Sequence, residues 1–193
     1  MDSSCFLHQI FKPENFSVAD LQLITEQFTE VDFAKNDTLI ESGKTANYYY
    51  FLESGYLRSS IYDTHGNDIT TKFFCPLDIV IDWNAYFLKQ PCKERIVALT
   101  EGKAWRITFA NFMKLFHIEA FREVGRTRLV NSYFELKSHS LAVIAEPAKN
   151  RYLRLMQQQP ALLQHAPLKH LATYLGITDT SLSRIRKEIA KSP

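Results

Sequence analysis

The last stretch of the chain gathers side chains suited to hydrogen-bonding a polar or anionic partner. Thr178, Thr180, Ser181 and Ser183 interleave with Arg184, Arg186 and Lys187, and Lys169 and His170 precede them. Arginine presents a planar fork of donors that matches a guanine edge or a phosphate, whereas hydroxyls both donate and accept. Lysine supplies charge with little demand on geometry, which suits contact with phosphate. These groups recognise; they do not react. Elsewhere no carboxylate pair accompanies a nucleophile at motif spacing, no glycine-rich loop runs into Lys-Ser, and no histidine–cysteine constellation occurs, so no catalytic residue is assigned and no enzyme is expected. A Ser-His-Asp site assembled across the fold is the arrangement that sequence leaves open. Cys5, Cys75 and Cys92 are odd in number and far apart, without the spacing of a zinc or iron–sulfur site, and are read as ordinary thiols with no metal. His8 and His117 stand alone and are read as structural or solvated, not as haem ligands.

Charge follows the same division. The net +2 conceals a split: residues 149–193 hold eight basic and two acidic side chains, against fifteen and nineteen in residues 1–148. A basic segment behind a mildly acidic body suits a tail that meets phosphates, although a solvated basic surface shows the same split. With 46% apolar and 13% aromatic residues the chain can bury a core, which excludes a disordered polymer. No apolar run approaches the length of a membrane span, and Met1-Asp2-Ser3-Ser4-Cys5 lacks the basic start and apolar run of a secretory signal. A cytoplasmic location without a membrane partner is expected.

Two short helices must position the recognition groups. Leu168, Leu171, Ala172 and Leu175 form the apolar face of one, started by Pro167 and stopped by Gly176. Thr178 suits the N-cap of the next, with Asp179 near the positive end of its dipole. Leu182, Ile185 and Ile189 face inward, Ile177 fills the turn, and small Ala172 lets the helices cross closely. This is helix-turn-helix patterning, in which the second helix enters the major groove. Thr180, Ser181 and Arg184 then fall on the outward face of its first turns, and Arg186, Lys187, Lys169 and His170 are backbone contacts. A plain helical hairpin with a charged surface is the competing reading.

Upstream, Val31 to Thr108 reads as short strands punctuated at Ser42-Gly43, Ser54-Gly55 and His65-Gly66-Asn67-Asp68, which points to a sandwich or barrel. Ser17 and Asp20 frame a helix carrying Leu21, Ile24 and Phe28, and Asn111 to about Phe116 reads as a short helix. A longer helix spans roughly 118–145. On it Leu129, Tyr133, Leu136, Ser140 and Val143 make a narrow stripe, able to pair with its own copy or to pack on the β-domain. Glu146-Pro147 ends this helix, and Pro147 suits the first turn of a new one; the expected units are 1–145 and 146–193, with Glu146-Pro147 as the hinge of any reorientation.

On the helix-turn-helix and on Leu39-Ile40-Glu41-Ser42-Gly43, Gly55-Tyr56-Leu57-Arg58 and Phe74-Cys75-Pro76-Leu77-Asp78-Ile79, the chain resembles the Crp/Fnr regulators, the family of the cAMP receptor protein, along nearly its whole length. The resemblance implies an α+β fold: an N-terminal β-roll (a double-stranded β-helix of the cyclic-nucleotide-binding type), a long dimerisation helix and a C-terminal helix-turn-helix domain. It implies double-stranded DNA as partner, a homodimer reading a near-palindromic site through half-sites about one DNA turn apart, and RNA polymerase and a small effector as further candidate partners.

The effector pocket departs from the family pattern. Asp82 falls where the family has a glutamate and Arg95 where it has the phosphate-binding arginine, but Leu77 and Ile81 replace glycines and Ile96 replaces a hydroxyl residue. Bulky Ile81 obstructs close backbone approach and Ile96 donates no hydrogen bond, which argues against cyclic AMP. No cofactor is expected. The pocket is left with another ligand or none, and Trp83, Tyr86 and Phe87 either line it or fill it. Arg95 is equally readable as an ion-pair partner of Glu94 or Asp82. Many family members continue into a β-hairpin wing after the recognition helix; here the reader is expected either to lack that wing or to carry it before the helices, which shifts the expected phosphate contacts to Lys149, Arg151 and Lys169. The alternative function is a ligand-sensing or protein-interaction module whose C-terminal helices bind a protein, favoured by the acid at Asp179.

Overall fold

Strand Tyr48–Ser54 shows how the N-terminal half is layered. Its successive side chains point to opposite faces, so Tyr50 and Leu52 enter one apolar cluster while Tyr49 and Phe51 enter another. A strand buried on both sides carries an aromatic run with little polar alternation, which is the character of Tyr48-Tyr49-Tyr50-Phe51-Leu52. The computed structural model describes residues 4–191, with side chains from Phe6 onward, so the Cys5 side chain lies outside the described residues.

Helices α1 (Ser4–Ile10) and α2 (Val18–Glu26) lead into the strands. These are β1 (Thr29–Phe33), β2 (Thr38–Ile40), β3 (Tyr48–Ser54), β4 (Leu57–Tyr62), β5 (Asp68–Phe74), β6 (Ile79–Val80), β7 (Arg95–Ala98) and β8 (Gly102–Thr108), with α3 (Trp83–Leu88) between β6 and β7. They form two antiparallel sheets in the orders β1-β8-β3-β6 and β2-β7-β4-β5. Between them lie Phe33, Tyr50, Leu52 and Ala104 from one sheet and Ile40, Leu57, Phe74, Ile96 and Ala98 from the other. The chain changes sheets at Ser54-Gly55. Gly55 has φ +88°, and a Cβ there would lie 2.7 Å from the Glu101 carbonyl oxygen, so the crossing needs glycine.

The outer face of the first sheet is covered by helices. Ser17 caps α2 by accepting from the Asp20 N–H at 3.0 Å, as its position in the sequence suggested. Thr108 caps α4 (Phe109–Lys114), which begins two residues earlier than expected and tightens into a 3-10 turn over Leu115–His117. Helix α1 was not foreseen; Phe6, Leu7, Ile10 and Phe11 bury it against Phe28, Phe51 and Phe121.

Helix α5 (Glu119–Ala145) turns Phe121 and Ala142 inward. Leu129, Tyr133 and Leu136 remain 47%, 59% and 63% exposed, so the stripe does not pack on the β-domain. Phe134, Leu141 and Ile144 extend the open apolar surface. After Glu146-Pro147 come α6 (Ala148–Gln158), α7 (Leu162–His165), α8 (Leu168–Tyr174) and α9 (Asp179–Lys191). Pro147 and Pro167 sit at N-cap positions, one residue before the helical turns they were expected to open. The stretch between α6 and α8 is helical at α7, so no hairpin wing precedes the pair. The C-terminal helices share a core of Tyr152, Leu155, Leu162, Leu171, Leu175 and Leu182, which also takes in Phe73 of β5.

Candidate functional site

The turn between α8 and α9 is built by local hydrogen bonds. Gly176 adopts φ +67°, its N–H bonding to the Thr173 carbonyl and the Ile177 N–H to that of Ala172, both at 3.0 Å. Thr178 then accepts from the Ser181 N–H at 3.2 Å, making it the N-cap that its sequence position suggested. Ala172 and Leu182 are fully buried at the crossing and Ile177 packs beside them. The turn cannot splay without exposing that contact.

Thr180, Arg184 and Lys187 are exposed and spaced by four and three residues, which places them on one face of α9. Among the described residues neither Arg184 nor Lys187 enters an ion pair, so both cations are free to meet an outside partner. Ser181 and Ser183 are half-buried beside this face, and the Ser181 hydroxyl is already engaged with Thr178 Oγ1 at 2.9 Å. Lys169 is exposed on α8.

Two expected phosphate contacts are spent inside the molecule. His170 faces the β-roll, where burial, reinforced by the Arg58 and Lys169 charges, pushes its pKa down to about 4. Arg58, itself buried, pairs with Asp68 and donates to Thr70 Oγ1 at 2.7 Å. The Thr70 N–H in turn donates to Thr173 Oγ1 at 3.1 Å, so a polar chain runs from the β4–β5 hairpin into α8. Arg151 is buried and donates to the carbonyls of Ala142, Val143, Glu146 and Leu175. It is a clamp on the end of α5 and on the α8–α9 turn, not a phosphate ligand. Lys149 pairs with Glu188 at 2.6 Å, leaving Lys169 as the member of that trio without an ion pair among the described residues. Arg154 pairs with Glu146, so the expected hinge is bridged by two arginines. Charge alone misassigned these residues, because it carries no sign of burial.

The proposed effector residues do not converge on one cavity. Asp82 caps α3, its two oxygens accepting from the N–H groups of Ala85 at 3.0 Å and Lys93 at 3.3 Å. Arg95 lies 3.5 Å from Glu41 and donates to Thr38 at 2.8 Å, whereas Glu94 takes the Ser59 hydroxyl; its expected partners, Glu94 and Asp82, are replaced by Glu41. Trp83 stacks on Phe87 and packs, with Tyr86, into the aromatic cluster outside the roll. Ile81 joins that cluster too, so it does not obstruct the roll from within. Leu77 keeps a left-handed φ of 76°, a strained backbone for leucine where the resemblance has glycine. Inside the roll, Leu52, Leu57 and Ile96 have no exposed surface and Cys92 almost none.

No helix among the described residues is long and apolar enough to cross a membrane. No curated protein is similar enough in sequence to serve as a relative. Residues 30–119 match the cyclic nucleotide-binding domain. Among solved structures, FixK2 from Bradyrhizobium japonicum superposes with a TM-score of 0.73 at 16% identity, over 84% of each chain. The c-di-GMP-responsive global regulator CLP from Xanthomonas campestris gives 0.69 at 11%, over 90% of this chain and 92% of that one. A protein from Eubacterium rectale assigned to the Crp/Fnr transcriptional regulators gives 0.69 at 12%, over 92% and 85%. Residues 30–119 thus match the model of the cyclic nucleotide-binding domain, and the chain shares its fold with these solved regulators.

Proposed function

We propose that this chain is a DNA-binding transcription regulator that works as a homodimer and reads a near-palindromic site through α9. The observation that carries this reading is the exposed face of Thr180, Arg184 and Lys187, whose cations form no ion pair among the described residues and which a closely packed turn presents. A single helix-turn-helix buries too little DNA surface for high affinity, and the open apolar stripe on α5 supplies the surface for a second copy. Two α9 helices then reach major-groove sites about one helical turn apart.

The β-roll does not take cyclic AMP in this reading. Ile96 is buried where a hydroxyl would meet the phosphate, and Asp82 is taken up by the N–H groups of Ala85 and Lys93. A less charged effector, or none, remains for the roll.

Selection of bound sequences from random duplex DNA tests the proposal. Enrichment of an inverted repeat with half-sites about one turn apart is expected. Retention indifferent to sequence, or none, would return the C-terminal helices to the role of a protein-binding surface.

A further inference from the structure

Beneath α5 a cleft of about 580 Å³ opens between β5, α5, α6 and α8. This volume is within the range of about 300–1,000 Å³ typical of small-molecule sites. The cleft is lined by the sensor sheet, the long helix and the helix-turn-helix unit together, so a ligand there would touch all three.

Its wall and its charges define what would fit. His139 stacks on Tyr174 with ring centroids 4.2 Å apart and planes 13° from parallel, and Phe73 meets Tyr174 edge-on at 5.1 Å. Burial holds His139 below the usual histidine range and pushes Tyr174 up to about 12, so this aromatic wall is uncharged at neutral pH. Lys72 lines the cleft from β5, its ammonium 5.2 Å from the centre of the Phe74 ring and 4.0 Å from Glu135, which is itself largely exposed. Arg154 lines the other side and is paired with Glu146. Asp78, also in the lining, is engaged locally, its carboxylate accepting from the Cys75 N–H at 2.8 Å. Thr71 adds a buried hydroxyl with no hydrogen-bond partner among the described residues.

We propose that this interdomain cleft is a binding site for a small aromatic carboxylate, with the ring against the His139–Tyr174 wall and the carboxylate taken by Lys72. A planar ring gains from stacking in a partly dry cleft, and charge-assisted hydrogen bonds fix its acid group. Acetate offers no ring, and phosphate offers charge without an apolar face. Any consequence for DNA rests on the regulator reading above; binding itself does not.

Titration calorimetry of the full chain with benzoate and salicylate, beside acetate and inorganic phosphate, tests this without DNA. Saturable binding of an aromatic acid, with acetate and phosphate at least about tenfold weaker, is expected. Lys72→Met lowers the affinity about tenfold, the scale of one charge-assisted hydrogen bond, and Arg95→Gln in the roll leaves it unchanged. Should Lys72→Met fail to fold, Thr71→Val serves instead, lowering affinity severalfold at unchanged melting temperature. The proposal is overturned if neither aromatic acid saturates, if phosphate binds as tightly, or if Arg95→Gln abolishes binding that Lys72→Met spares. Because DNA selection is a separate measurement, failure here leaves the regulator reading standing, and failure there leaves this site standing.

Discussion

Arg151 donates from Nε and Nη2 to the carbonyl oxygen of Leu175, at 3.2 and 2.6 Å, while its Nη1 reaches the last carbonyls of α5. One guanidinium thus joins the end of the long helix to the turn that aims α9. Helix C-termini leave carbonyls without partners, and a buried cation there answers both the hydrogen bonding and the dipole. Arg151→Met leaves those carbonyls unsatisfied and is expected to cost about 3 kcal/mol in urea unfolding. Lys149→Ala, whose ion pair is exposed, is expected to cost less than about 1 kcal/mol. Equal costs would show that Arg151 is not the clamp.

His170 gives the docked arrangement a pH dependence. Its folded pKa of about 4 lies below the ordinary value of 6.5. Between those values the unfolded chain takes up a proton that the folded one refuses, so stability is full above pH 6.5 and falls as pH drops towards 4. His170→Asn removes this contribution, leaving the smaller one of His139, whose pKa is lowered by burial in the same direction. Denaturation midpoints at pH 7.5 and pH 5 should therefore differ less in the variant than in the parent. An unchanged difference would remove His170 from the interface with the roll.

The α5 stripe predicts the oligomeric state. Leu129→Glu combined with Tyr133→Glu places charges on a surface that is already exposed in one chain, so folding is spared. Sedimentation is expected to show a dimer for the parent and a monomer for the variant at equal concentration. A monomeric parent would remove the paired-helix arrangement.

Local signals made much of this legible. Thr178 as N-cap, Gly176 at positive φ, Ser17 before α2 and the strand break at Ser54-Gly55 are properties of neighbouring residues, and each appears in the structure where its chemistry places it. Helix α1 had a readable signal in Phe6, Leu7, Ile10 and Phe11 at helical spacing that went unused. Arg151 and His170 were beyond reach for a different reason. Their partners are carbonyls and side chains brought close only by tertiary packing, and nothing in the residue type distinguishes a buried arginine from one awaiting phosphate. The same holds for Asp82 and Arg95, which occupy the positions of pocket residues: Asp82 accepts from Ala85 and Lys93, whereas Arg95 donates to Thr38 beside Glu41 and keeps its Nε without a hydrogen-bond partner among the described residues.

Fluorescence anisotropy with the selected DNA across a salt series tests the DNA-reading role of α9 most directly, comparing the parent with Arg184→Ala and with Arg126→Ala, an exposed arginine of α5 paired with Glu123. Arg184→Ala is expected to lose about 1–3 kcal/mol of binding and to relax preference at one base position. Arg126→Ala should match the parent in both affinity and salt slope. If Arg184→Ala binds the selected site as tightly and as selectively as the parent, α9 is not the reading helix.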